Sequence, residues 1–192
     1  MDNGQKRVII VHCWEESPQY CWYPYAKREL EARGYAVSVP QFPNPNHPTE
    51  SMWVPYLSAQ IGAPDHNVYL IGHSVGAITI LRYLETLTEG QRIGGVITVA
   101  GFTDSMGYGV FENFFTTPLP FALLRHRARR FVAIRSDNDP YIEPKYGDIL
   151  RDKLGAQLIV VPGAKHFSGP LDAEDSCTSF PEVVGAILQA SA

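Results

Sequence analysis

Six short runs along the chain are almost continuously apolar: RVIIV at 7–11, YAVSV at 35–39, NVYLI at 67–71, GVITVA at 95–100, FVAI at 131–134 and QLIVV at 157–161. Val and Ile dominate them, and so little polar alternation over so short a span predicts strands buried on both faces of a parallel sheet. Between the runs, apolar spacing predicts helices around 22–33, 50–61, 76–89, 144–154 and 181–190. In the third, Ala77, Ile80, Leu81, Leu84 and Leu87 form one stripe, and Thr79, Arg82, Glu85 and Glu89 are expected on the side facing away. Strand and helix in alternation predict an α/β fold, a parallel sheet of about six strands with helices on both faces. No Gly- or Ser-rich linker divides it, so residues 1–192 are expected to form one domain. VPQFPNPNHP at 39–48 is expected as an extended loop, and RHRARR at 125–130 as a solvated turn ahead of the fifth strand.

In an open α/β sheet, chemistry sits beyond the carboxyl ends of the strands. Five runs end in HCW, GHSVG, GFTDS, RSDNDP and PGAKHF, so serine, aspartate and histidine follow different strands in that order. The segment YLIGHSVGAITIL at 69–81 carries a strand into a helix through Gly72-His73-Ser74-Val75-Gly76. Such a handover with almost no loop needs a strained turn with serine at its apex, and a side chain at Gly72 or Gly76 would collide with the neighbouring helix or strand. This is the G-x-S-x-G nucleophile elbow. It presents Ser74 Oγ as a nucleophile and aims the Val75 N–H, at the helix start, toward a developing oxyanion. Serine needs a base, and the base needs an orienting acid. His166 combines late chain position with a strand-end context, whereas His73 is expected to pack beside the nucleophile. Asp137, Asp139 and Asp104 are the candidate acids.

With these residues in place, the chain resembles the small serine hydrolases related to retinoblastoma-binding protein 9 and the YdeN-type proteins. The likeness runs through CWYPYAKRELEARGY, ESMWVPYL at 50–57, IGHSVGAITILRYLE at 71–85, DNDPYIEP at 137–144 and GAKHF at 163–167. It implies a compact α/β-hydrolase fold without a large cap domain, a nucleophile at Ser74, a base at His166 and an acid at Asp139. Pro140 favours the same aspartate by biasing Asp139 toward extended backbone, while Asp137 is expected to cap its own turn. The chain departs from its relatives after the first strand, where HCWEES replaces small residues. The second oxyanion donor is therefore the backbone N–H of Trp14 or of Cys13. A cysteine nucleophile at Cys13 is rejected, because adjacent strand residues such as His12 and Cys13 point to opposite faces. The apolar segment FENFFTTPLPFALL at 111–124 is either a packed helix and turn or a flap lining an acyl pocket.

Composition narrows the function classes further. A net charge of −4 over 192 residues gives no footprint for nucleic acid. Three cysteines without a CxxC pair suggest neither a disulfide framework nor a zinc site, and fit a reducing cytoplasm. No apolar stretch approaches the roughly 18 residues of a membrane span, and the N-terminal run is too short for a signal peptide. No phosphate loop, metal cluster or dinucleotide motif is present, so no cofactor is expected. The expectation is a metal-free serine hydrolase acting on a small-molecule acyl substrate. The competing expectation is a protein-binding module that keeps the fold with little turnover.

Overall fold

The computed structural model describes residues 4–168 and 177–192. Six strands, β1 (Arg7–Val11), β2 (Ala36–Ser38), β3 (Val68–His73), β4 (Ile93–Val99), β5 (Ala128–Ser136) and β6 (Gln157–Val161), form one sheet in the order β2-β1-β3-β4-β5-β6. Every neighbouring pair is parallel. The α-helices are α1 (Tyr23–Glu31), α2 (Glu50–Ile61), α3 (Val75–Glu85), α4 (Phe121–Leu124), α5 (Lys145–Leu154) and α6 (Pro181–Ala190). A 3₁₀ segment, Gly109–Phe115, lies between β4 and α4. The chain builds outward from β1 to β2, then returns to β1's other side for β3 and continues to β6. The loops leaving β1 and β3 therefore diverge at the switch point between those two strands, where an open sheet of this kind forms its crevice.

The central strands carry the core: Val8, Ile10, Leu70, Ile71, Val96 and Ile97 are fully buried. Each such side chain contributes about 1.5–3 kcal/mol by leaving water. Helix α3 packs on β1, β3 and β4 with α2 at its back, and α6 packs on β4 and β5 beside α1. The outer strands differ from the expectation of burial on both faces. β2 and β6 are the sheet edges, and only Val37 of β2 and none of β6 is fully enclosed, because an edge strand has a neighbour on one side only.

Two further expectations are corrected, and one open alternative is decided. Helix α3 stops at Glu85 and has no solvent face over its first three turns: Thr79 and Arg82 are buried with the rest. The outer side is covered by α2 and by the chain around the 3₁₀ segment. Arg82 is satisfied there by the Phe114 carbonyl at 2.7 Å, the Thr117 carbonyl at 2.5 Å and the Glu85 carboxylate at 2.6 Å, as a buried cation requires. The segment 111–124 is a packed one, with Phe111, Phe114 and Leu124 buried. Asn113 pins it by accepting the Glu50 N–H at 2.7 Å and donating to the Pro48 and Val110 carbonyls. Finally, β5 begins at Ala128, which is buried and pairs with Ile93, so half of RHRARR is strand.

Candidate active site

A single residue, Ser74, separates β3 from α3, and its backbone takes φ 54° and ψ −118°. A non-glycine residue held there stores about 1–3 kcal/mol of strain. The surroundings enforce it: the Ser74 N–H donates to the Val99 carbonyl at 2.9 Å. A Cβ at Gly72 would lie 2.5 Å from the Gly76 carbonyl oxygen and 2.6 Å from Ala77 Cα, and one at Gly76 would run into the Val11 carbonyl of β1. Both glycines are thus required by backbone on either side, α3 in one case and β1 in the other. Ser74 is only 5 % exposed, and what it exposes faces a cavity. Its hydroxyl has no hydrogen-bond partner among the described residues, and neither has the Val75 N–H, the first of the helix's orphan donors.

The loops after β5 and β6 are stitched by three consecutive residues. Asp137 Oδ1 accepts the Gly163 N–H at 2.8 Å, and Asn138 Oδ1 accepts the Lys165 N–H at 2.8 Å. Asp139 Oδ2 lies 2.9 Å from His166 Nδ1. The other oxygen of Asp139 accepts the N–H groups of Tyr141 at 2.9 Å and Ile142 at 3.0 Å. The two side chains are nearly enclosed, 10 % exposed for His166 and 3 % for Asp139. Asp137 was expected to cap its own turn; it reaches across to the β6 loop instead, and the turn is closed by Asp139. Asp104 is occupied elsewhere, accepting the Tyr146 hydroxyl at 2.6 Å and the Met106 N–H at 2.9 Å.

Behind the serine runs a chain of hydrogen bonds whose directions are forced. The His166 carbonyl can only accept, so His73 Nε2 carries the proton that it donates there at 2.8 Å. His73 Nδ1 then accepts from the Tyr23 hydroxyl at 2.8 Å, and that hydroxyl accepts the Cys13 N–H at 3.0 Å. Burial, helped by the neighbouring His166, holds His73 down to about 3, which keeps the ring neutral. His12 is locked in the other tautomer. Its Nε2 accepts the Phe42 N–H at 2.9 Å, so its Nδ1 donates to the Cys13 carbonyl at 2.7 Å. Burial depresses its pKa as well.

These bonds bear on the two candidate oxyanion donors. The Cys13 N–H is taken by Tyr23. The Trp14 N–H belongs to the peptide whose carbonyl is held by His12; in a trans peptide it points the opposite way, and it has no partner among the described residues. The Cys13 thiol is pushed up to about 12 by burial, which suits a packed side chain and not a nucleophile. Tyr23 and His12 carried no legible signal in the sequence, because their partners lie far along the chain or on backbone atoms.

Ser74, His166, Cys13 and Trp14 open onto one cavity of about 250 Å³. Met106, Tyr108, Phe111, Tyr141 and Ile142 make its walls predominantly apolar, and Glu15 stands at its border. The Trp14 ring is fixed by its Nε1–H on the Asn46 carbonyl at 3.0 Å and meets Phe111 edge-on at 5.7 Å. The packed segment 111–124 therefore also supplies a wall, through Phe111.

A family model described as serine hydrolase matches residues 8–188. YdeN of Bacillus subtilis strain 168 is 29 % identical over 179 residues, covering 93 % of this chain and 92 % of the relative. Serine hydrolase RBBP9 of Rattus norvegicus is 27 % identical over 152 residues, 76 % of this chain and 77 % of the relative. The crystal structure of the ydeN gene product from B. subtilis superposes with a TM-score of 0.89 at 28 % identity, covering 97 % of this chain and 98 % of that one.

Proposed function

The chain belongs to the serine hydrolase family, and on that footing we propose that it cleaves small esters, thioesters or activated amides through an acyl-enzyme on Ser74. The observation that carries this reading is the His166 Nδ1 to Asp139 Oδ2 bond at 2.9 Å, formed at the same cavity that Ser74 enters from its strained elbow. In this mechanism Ser74 Oγ attacks the acyl carbonyl and its proton passes to His166 Nε2. Asp139 holds the imidazole with Nδ1–H toward itself and offsets the charge that the ring acquires. The carbonyl oxygen becomes an oxyanion and accepts the N–H groups of Val75 and Trp14. Collapse of this intermediate breaks the bond to the leaving group, which departs with the proton from His166. Water then repeats the sequence on the acyl-enzyme and frees the acid.

Cavity size and chemistry support a small acyl group. At about 250 Å³ the space falls below the range of drug-sized ligand pockets, and its aromatic and aliphatic walls favour an uncharged acyl chain over a carboxylate-bearing one, which Glu15 would repel. The experiment is hydrolysis of p-nitrophenyl esters of increasing acyl length by the intact chain and by Ser74→Ala. Acetate and butyrate should be turned over faster than palmitate, and the variant should be inert. Retention of most activity in Ser74→Ala would remove the nucleophile from this scheme.

A further inference from the structure

A larger hollow, of about 740 Å³, lies at the other end of the sheet, among the amino ends of β5 and β6. Strand β5 separates the two ends by about 27 Å, nine residues at the usual rise. Arg125, His126, Arg129 and Arg130 border it, and two adjoining hollows share His126 or the Arg129-Arg130 pair and add Lys6, Arg92 and Arg127. Among the described residues Glu89 is the one carboxylate side chain that borders any of the three.

These cations differ from most of those on the rest of the molecule, Arg135 and Lys153 excepted. Arg7, Lys27, Arg33, Lys145 and Arg151 each sit within 4 Å of a carboxylate. The side chains of Arg92, Arg125, Arg129 and Arg130 have neither an ion pair nor a hydrogen bond among the described residues, although all four are exposed. Arg127 and Lys6 reach only backbone carbonyls, of Thr88 and Ser191. A chain of net charge −4 thus gathers on one concave face five of the six arginines that have no carboxylate partner among the described residues, Arg135 being the sixth. Like charges so placed repel one another, and an anionic partner relieves that repulsion.

We propose that this face docks an acidic peptide segment of a partner protein. Arginine's planar fork grips a carboxylate through two parallel bonds. The Gln157 and Gln189 side chains, also at the hollow, offer the donor and acceptor pairs that a peptide backbone needs, and Leu154 and Phe131 give an apolar floor. A flat anionic bilayer cannot follow a concave surface. Binding of single-stranded nucleic acid relies on exposed aromatic rings for stacking, and the rings here, Phe131 and Tyr69, are buried. The site stands apart from the cavity at Ser74, so an acidic segment can bind without blocking it.

The test is fluorescence anisotropy of the intact chain with fluorescein-labelled hexaglutamate, at low and at raised salt. Binding should saturate, weaken as salt rises, and fall at least tenfold in the double variant Arg129→Glu/Arg130→Glu. Circular dichroism melting checks that the variant is folded, and the single change Arg125→Glu, expected to weaken binding at least threefold, gives the reading if it is not. The proposal is overturned if hexaglutamate fails to saturate, if the folded variants bind it as the wild type does, or if the chain prefers labelled oligothymidylate or phosphatidylserine vesicles.

Discussion

Replacing Asp139 by Asn alters one atom of the site, and the surrounding hydrogen bonds dictate what that atom does. Oδ1 of Asp139 receives two N–H groups, from Tyr141 at 2.9 Å and Ile142 at 3.0 Å. A carboxamide must keep its oxygen there, because an NH₂ in that place would face two donors. Its NH₂ is consequently turned to the position of Oδ2, 2.9 Å from His166 Nδ1. An amide nitrogen only donates, so Nδ1 must accept and the ring proton moves to Nε2, the atom that has to receive the Ser74 proton. In Ser-His-Asp triads this tautomer error lowers kcat by about 10⁴, or about 5 kcal/mol of barrier. Asp137→Asn is the control. Its oxygen can still accept the Gly163 N–H, and its side chain is exposed, so kcat should stay within about twofold and stability within about 0.5 kcal/mol. Steady-state hydrolysis of p-nitrophenyl acetate, with a circular dichroism melt for each variant, gives both quantities. Asp139 is not the orienting acid if Asp139→Asn keeps more than about a tenth of the wild-type kcat, or if Asp137→Asn is the inactivating change.

Acid should destabilise the fold through His73. Its ring is held down to about 3 when folded but protonates near 6.5 when unfolded, so its contribution is complete above about pH 6.5 and drains as pH falls toward 3, removing about 2 kcal/mol by pH 5. Urea unfolding at neutral pH and at pH 5 measures the difference, which His73→Gln should shrink; His12, also depressed by burial, leaves a remainder. Tyr23→Phe deprives the Cys13 N–H and His73 Nδ1 of their partner and should cost about 1–3 kcal/mol of stability. Urea unfolding of the variant reads this loss. Gly76→Ala drives a Cβ into the carbonyl backbone of Val11 and should cost about 3 kcal/mol in urea unfolding; a neutral result would mean that β1 and α3 can part at little cost.

What could be read in the sequence follows from the range of each interaction. β1, β6, α2 and α6 lie at their expected residues because their apolar period is local and their ends carry clear breaks. The elbow was legible for the same reason: two glycines and a serine within five residues state a backbone need that no neighbour has to explain. Thr79 and Arg82 misled, since polarity usually marks a solvent face, and here α2 and the Thr117 region bring partners from elsewhere in the chain. RHRARR misled because charge outweighs the one buried residue, Ala128, that anchors it to β4. The contacts around Cys13 and Trp14 were out of reach, because they depend on Tyr23, His73 and Phe42, joined through backbone atoms that no residue pattern encodes.

Labelling with a fluorophosphonate tests the central claim most directly, because the reagent phosphonylates only a serine activated by a working base and oxyanion site. Intact-mass analysis followed by peptide mapping should find one adduct per chain, carried by Ser74, and none in Ser74→Ala. A folded wild-type chain that takes up no reagent, or carries it on another residue, would contradict the assignment of Ser74 as the nucleophile.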